Sequence, residues 1–212
     1  QYWLWRAAGM PEGFSRNYDD LIAFWDSDSR TWGFWAGWYE RMLRGDPLRW
    51  GLQKKIALIP NEIWEAGPEA VAEEIARIEA EFALRERIAD FEADHALLEK
   101  GRLGIGGNNP PEEIDDPKAR AQVVVLWESI AGLKAEVEAE EPNADRVATL
   151  INSLSGALKA ILVWCARKGD LGIDTMIKWG IPAAGGGYFI VNPAKAEAVL
   201  KAAQAWIHFL AP

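Results

Sequence analysis

An all-α fold is predicted for this 212-residue chain by three observations. Apolar residues recur at helical spacing along nearly every segment, Pro and Gly fall where helices start and stop, and no run shows convincing strand alternation. The expected architecture is a set of helical bundle units joined by one long helix and a Gly/Asn/Pro linker. Residues 1–100 form a Trp-rich N-terminal unit with a long acidic helix, 101–117 the linker, and 118–212 a C-terminal helical bundle.

Each element has its own justification. Ser29 or Thr31 caps a helix running to Arg44, and Gly45 supplies its stop. Asp46-Pro47 opens the next helix, Leu48 to Ile59, which Pro60 ends; a short turn over 60–65 then leads to Ala66-Gly67. The acidic pairs Asp19-Asp20 and Asp26/Asp28 are read as caps and solvated turns ahead of a helix. Pro68 begins the longest helix, which reaches about Lys100. Val71, Ile75, Ile78 and Phe82 form one seam on it, and Leu84, Ile88, Phe91, His95 and Leu98 form a second, displaced around the axis. A stripe that shifts in this way meets different neighbours at its two ends, so the helix reads as a spine between subdomains.

Asp116-Pro117 starts a helix with the face Val123, Leu126, Trp127, Ile130, Leu133 and Val137. Asn143 caps the next, which presents Val147, Leu150, Ile151, Leu154, Leu158, Ile161, Leu162 and Cys165, so the two make an antiparallel hairpin. A short helix is expected over 173–179, and a last one from Asn192-Pro193 to Phe209.

Composition narrows the function. A net charge of −9 argues against a general nucleic-acid binder. One cysteine, Cys165, excludes an internal disulfide and fits a reducing compartment. Two histidines, His95 and His208, are too few for most zinc or di-iron sites, and no metal or cofactor is expected. Because the chain starts at Gln1 without Met, a signal peptide upstream stays open. Residues 68–100 hold four Lys/Arg against ten Asp/Glu, whereas 155–212 hold six against three, so the middle is acidic and the C-terminal end mildly basic.

The run Ile105-Gly106-Gly107-Asn108-Asn109-Pro110-Pro111-Glu112 resembles an Ile-Gly-His-Asn-Asn-Pro-Pro-Glu signature found in a group of alphaproteobacterial proteins, many of them linked to prophages or mobile elements. Trp35-Ala36-Gly37-Trp38-Tyr39, Gly45-Asp46-Pro47-Leu48 and Ile56-Ala57-Leu58-Ile59-Pro60 resemble the same group, over about residues 30–115. The resemblance implies no activity, and Gly107 stands where the signature has His. Physically, paired Gly, Asn and Pro make a rigid connector or a short peptide for a partner to recognise, in which case Asn108, Asn109, Pro110 and Pro111 are the contacts.

Eight of the twelve tryptophans fall in the first 64 residues. Trp32, Trp35 and Trp38-Tyr39 follow i, i+3, i+6/7 and share one helical face with Met42, while Phe34 points elsewhere. Such a face is either aromatic core or an aromatic surface built to receive a partner. Gly33 and Gly37, four apart, would let a neighbour come close. His95 and Cys165 read as core positions.

The C-terminal region carries two apolar runs, 157–166 and 181–191, each shorter than the roughly 18 residues that cross a bilayer. Lys159, Lys168 and Lys178 with Phe189 give it the means to meet an anionic membrane.

The expected function is therefore a non-catalytic protein-binding or assembly component, encoded on a prophage or mobile element. It would act through Trp32, Trp35, Trp38 and Tyr39 on a protein partner or a second copy. One alternative is a membrane-active effector using residues 155–212; another is a small-ligand binder or enzyme with a tryptophan pocket and acidic groups such as Glu40. The expected location is the bacterial cytoplasm, with membrane association or a phage-like particle as variants.

Overall fold

A computed structural model of the chain describes residues 12–101, 112–167, 179–182, 188–190 and 192–210. Among them the fold is all-α, with eight helices and a three-stranded scrap of sheet. The chain divides into two compact units, Gln1–Glu79 and Ala80–Pro212. That division falls inside the long helix rather than at residues 101–117. The Asn108–Pro111 motif lies outside the described residues.

The first unit opens with α1 (Glu12–Ser27) and α2 (Ser29–Arg44). Asp19, Asp20 and Asp26 are thus helical, not turn residues ahead of a helix. Asp28 is the N-cap of α2, in place of Ser29 or Thr31: its carboxylate accepts from the Thr31 N–H at 3.3 Å. The Thr31 side chain, and then the Thr31 N–H, hold the Asp28 carboxyl below its ordinary value. Gly45 ends α2 at φ +70°, where only glycine enters without strain, and its N–H donates to the Met42 carbonyl.

Helix α3 (Trp50–Ala57) starts two residues later than Leu48. Residues 46–49 take no regular structure, and the Gln53 amide donates to the Leu48 carbonyl at 2.6 Å, closing the segment with a side chain. A single helical turn, α4 (Asn61–Glu65), follows Pro60. Leu43, Leu52, Ile56 and Ile59 are buried, as are Val71, Ile75 and Ile78 on the first part of α5 (Pro68–Gly101).

The second unit takes the other part of α5, so Val71, Ile75 and Ile78 of the first seam belong to the first unit, whereas Phe82 and the second seam belong to the second. Leu84, Ile88 and Phe91 join a core built on α6 (Pro117–Glu138), α7 (Ala144–Arg167) and α8 (Pro193–Ile207). Asp116, Asn143 and Asn192 cap these three helices with their side chains. Pairing of α6 with α7 dominates the packing, and α8 lies against α7. Buried Glu136 locks the α6–α7 corner: its carboxylate accepts from the Asn143 N–H at 2.8 Å and pairs with Arg146 at 3.2 Å.

A small sheet departs from the expected absence of strands. β1 (Glu112–Glu113) runs parallel to β2 (Trp179–Pro182), and β2 is antiparallel to β3 (Tyr188–Ile190), with Gly180 opposite Ile190. These strands are too short to show alternation. Ile181 and Ile190 are buried, and tertiary packing rather than periodicity holds the backbone extended. The helix expected over 173–179 lies outside the described residues up to 178; residue 179 itself begins β2.

Candidate functional site

The aromatic run on α2 does not form one face; it splits into two. Trp32 and Tyr39, seven apart, turn toward α1. Phe24 lies 5.3 Å from Trp32, while Trp25 and Tyr18 lie 5.6 Å and 6.3 Å from Tyr39, ring centre to ring centre. Burial, and then the Glu40 carboxylate, raise the Tyr18 hydroxyl above the usual phenol range. These two rings are the glue of an α1–α2 hairpin rather than a contact surface, although Phe24 itself remains 53% exposed.

Trp35 and Trp38 take the other direction, toward α3 and α4. Trp35 stands edge-on to Phe34 at 5.1 Å and to Trp38 at 6.2 Å, and lies 6.2 Å from Trp64. Phe34, off the Trp32–Tyr39 side, lines the same pocket as Trp38, one of the two neighbours its position suggests. The rings are aimed by hydrogen bonds at their polar ends. Trp38 Nε1 donates to Gln53 Oε1 at 3.2 Å, and Gln53 in turn donates to Leu48; Trp64 Nε1 donates to the Ile59 carbonyl at 3.1 Å. With the indole N–H groups of Trp38 and Trp64 bonded within the fold, these two rings offer mainly carbon to an entering group.

The rings enclose an open pocket of about 370 Å³, lined by Phe34, Trp35, Trp38, Trp50, Lys54, Leu58 and Trp64 among others. Its volume is at the low end of the range for small-molecule sites and suits one or two bulky apolar side chains. Around the mouth, Trp50 is 77% exposed, Leu58 69% and Trp64 41%. Large apolar groups held in water at one place mark an interaction surface. Among the described residues Lys54 is the only charged one in the lining; Glu40 is not part of it and pairs with Arg44 at 2.9 Å.

Trp50, Trp64, Gln53, Lys54 and Leu58 are the site residues that sequence reasoning passed over. Their signal lay in tryptophans set just after Pro47 and Pro60, where helix starts fix the side-chain direction.

In the second unit, Lys159 is exposed on α7, whereas Lys168 and Lys178 lie outside the described residues. Phe189 is half-buried and packs on Trp127 at 5.5 Å, with Phe91 on Trp127 at 4.7 Å; Trp127 Nε1 donates to the Ile190 carbonyl. Phe189 is thus engaged with the core. Helix α7 as a whole contains an 18-residue window apolar enough to cross a membrane, longer than the run at 157–166, but it carries Val147, Ile151, Leu154, Leu158 and Ile161 into the core. Cys165 is half-buried beside that core. His208 is exposed, and the side chain of His95 lies outside the described residues.

The buried polar group on the second seam is Asp94. Its carboxylate pairs with Lys195 Nζ at 2.6 Å and accepts from the Asn192 amide at 2.7 Å; Lys195 also reaches the Asp90 carbonyl at 2.9 Å. This network ties the start of α8 to α5. Among the described residues, no group of three or more His, Cys, Asp or Glu side chains is arranged to hold a metal ion. A scan against protein-family models finds no match, and searches of curated proteins and of solved structures likewise find none.

Proposed function

We propose that this chain is a protein-binding or assembly component whose contact surface is the aromatic pocket of its first unit. The observation that carries this reading is the pairing of a ring-lined pocket with exposed Trp50, Leu58 and Trp64 at its mouth. Tryptophan is the residue type that most often dominates interface energy, and the Trp38 and Trp64 rings, already fixed by hydrogen bonds, lose little freedom on binding. Among the described residues no carboxylate, histidine or hydroxyl lines the pocket to move a proton, so contact is what the described lining offers. A prophage or mobile-element origin, which the residue resemblance suggests, would suit an assembly role.

Light scattering across a concentration series, on the wild type and on Trp50→Ser and Trp64→Ser, tests the reading. A mass that rises with concentration and falls back in the variants supports self-assembly through this surface. A monomer directs the test to a photo-crosslinker placed at Leu58 in the native cell. A single crosslinked partner lost on Trp50→Ser supports the reading, and no crosslink at all overturns it.

A second reading, lipid contact through residues 155–212, draws on α7, whose outer side exposes Leu162 and Val163 while its inner side is core. Flotation with anionic vesicles that is lost on Val163→Asp would support it. Protein remaining in the soluble fraction would remove it.

A further inference from the structure

The pocket also carries information about what it binds. We infer, resting on the proposed reading of this surface, that its occupant is an acidic segment of a protein partner that inserts a bulky apolar side chain and sets carboxylates beside Lys54. The apolar part follows from the lining: the rings of Phe34, Trp35, Trp38, Trp50 and Trp64, with aliphatic Ile56 and Leu58, offer an entering group almost wholly apolar surface. The acidic part follows from what little polarity the wall has. Gln53 turns its amide into the fold, accepting from Trp38 and donating to Leu48. Lys54 is exposed and, among the described residues, is the only charge in the lining. A cationic group entering among the rings would gain from the π faces but meet the ammonium of Lys54; an anionic neighbour to an apolar anchor meets no opposing charge in the lining.

This preference runs against the charge of the whole molecule. At a net −9, the long-range field favours cationic ligands, so any selection of an anionic one must come from the local surface. That opposition makes the inference sharp to test.

Two fluorescein-labelled peptides with the same Phe-Leu core, one flanked by Glu and one by Lys, are titrated with the full chain and followed by anisotropy. Octanoate is added as a competitor. At an ionic strength of about 0.01 M, where charges act over ~30 Å, the Glu peptide is expected to bind about tenfold tighter, a difference of ~1.4 kcal/mol. Lys54→Glu, an exposed change that leaves the rings in place, is expected to erase or reverse the preference. Equal affinity for both peptides, or tighter binding of the Lys peptide, overturns this inference while leaving the pocket as a binding surface. Failure of both peptides, with Trp50→Ser no different from wild type, removes the pocket reading itself. Displacement of the Glu peptide by micromolar octanoate makes the pocket a small-carboxylate site and overturns the protein partner. A wild-type mass that doubles with concentration, and reverts on Trp50→Ser, assigns the pocket to a second copy and overturns it too.

Discussion

Tryptophan serves opposite ends in the two units. In the second, Trp164 and Trp206 are 3% and 1% exposed and sit inside a continuous aliphatic core. In the first, Trp50 and Trp64 stand 77% and 41% exposed around an open pocket. The residue type is the same and so is the helical setting; what differs is whether a second layer of helix covers the ring. A high tryptophan count therefore marks neither core nor binding surface until the covering element is known.

The widest separation between the two uses should be in stability. Trp206→Ala empties a fully buried site and is expected to cost about 3–5 kcal/mol in chemical denaturation. Trp50→Ala removes a ring already in water and is expected to change stability by no more than about 0.5 kcal/mol, with its effect appearing only in binding. A large loss of stability from Trp50→Ala would erase the distinction, because it would mean that the ring is covered in solution.

Charge gives the next largest contrast. In the first unit, Arg41–Asp46 and Arg44–Glu40 lie on the surface, and breaking either should be close to neutral. Asp94 in the second unit is 8% exposed and serves both Lys195 and Asn192. Asp94→Ala leaves an ammonium and an amide with one partner fewer, and is expected to cost about 2 kcal/mol, read from denaturation midpoints. A cost no larger than that of Glu40→Ala would mean that the α5–α8 tie contributes nothing.

The same contrast explains how much of the molecule was legible beforehand. Helix limits at Gly45, Pro68, Asp116-Pro117, Asn143 and Asn192-Pro193 were readable because each rests on local chemistry, a cap or a ring that acts within four residues. The face of α6, from Val123 to Val137, was readable because a single stripe serves one continuous core. Three things were hidden because they depend on distant partners. The aromatic run on α2 has two destinations, α1 and α3–α4, so its spacing alone merged Trp32 with Trp35. Asp94 looks like an ordinary acidic residue until Lys195, a hundred residues away, comes to it. Helix α1 was hidden because the acidic pairs Asp19-Asp20 and Asp26/Asp28 imitate turn residues.

Glycine sharpens the comparison at about 1 kcal/mol. Gly132 lies where α6 and α7 meet, and a methyl group there would come within 2.6 Å of Leu150 Cδ2. Gly132→Ala gains helix propensity but must displace the Leu150 side chain, for an expected net loss of about 1 kcal/mol. Gly33 and Gly37 on α2 have nothing within 4 Å of the same point among the described residues. Gly33→Ala or Gly37→Ala should therefore raise the melting temperature, by about 0.5–1 kcal/mol of stability. If either also weakens peptide binding, the bare side of α2 takes part in the contact.

The smallest expected effect is a pH slope, and it is read in the second unit. Burial alone would lower the Lys195 ammonium, but its bonds to Asp94 and Asp90 outweigh that and hold it above the ordinary lysine value of 10.5. A group whose folded value is raised contributes stability that is complete below its unfolded value and is lost as pH climbs through the folded one. Lys134, raised by its bond to Glu92, adds to the same trend. Both lysines belong to the second unit, so its unfolding midpoint should begin to fall as pH rises past about 10.5. Lys195→Met should flatten that fall while leaving the first unit unchanged. An unaltered slope in Lys195→Met would show that the clasp on Asp94 persists whether or not the amine is charged, and that its hold on α8 comes from the Asn192 bond.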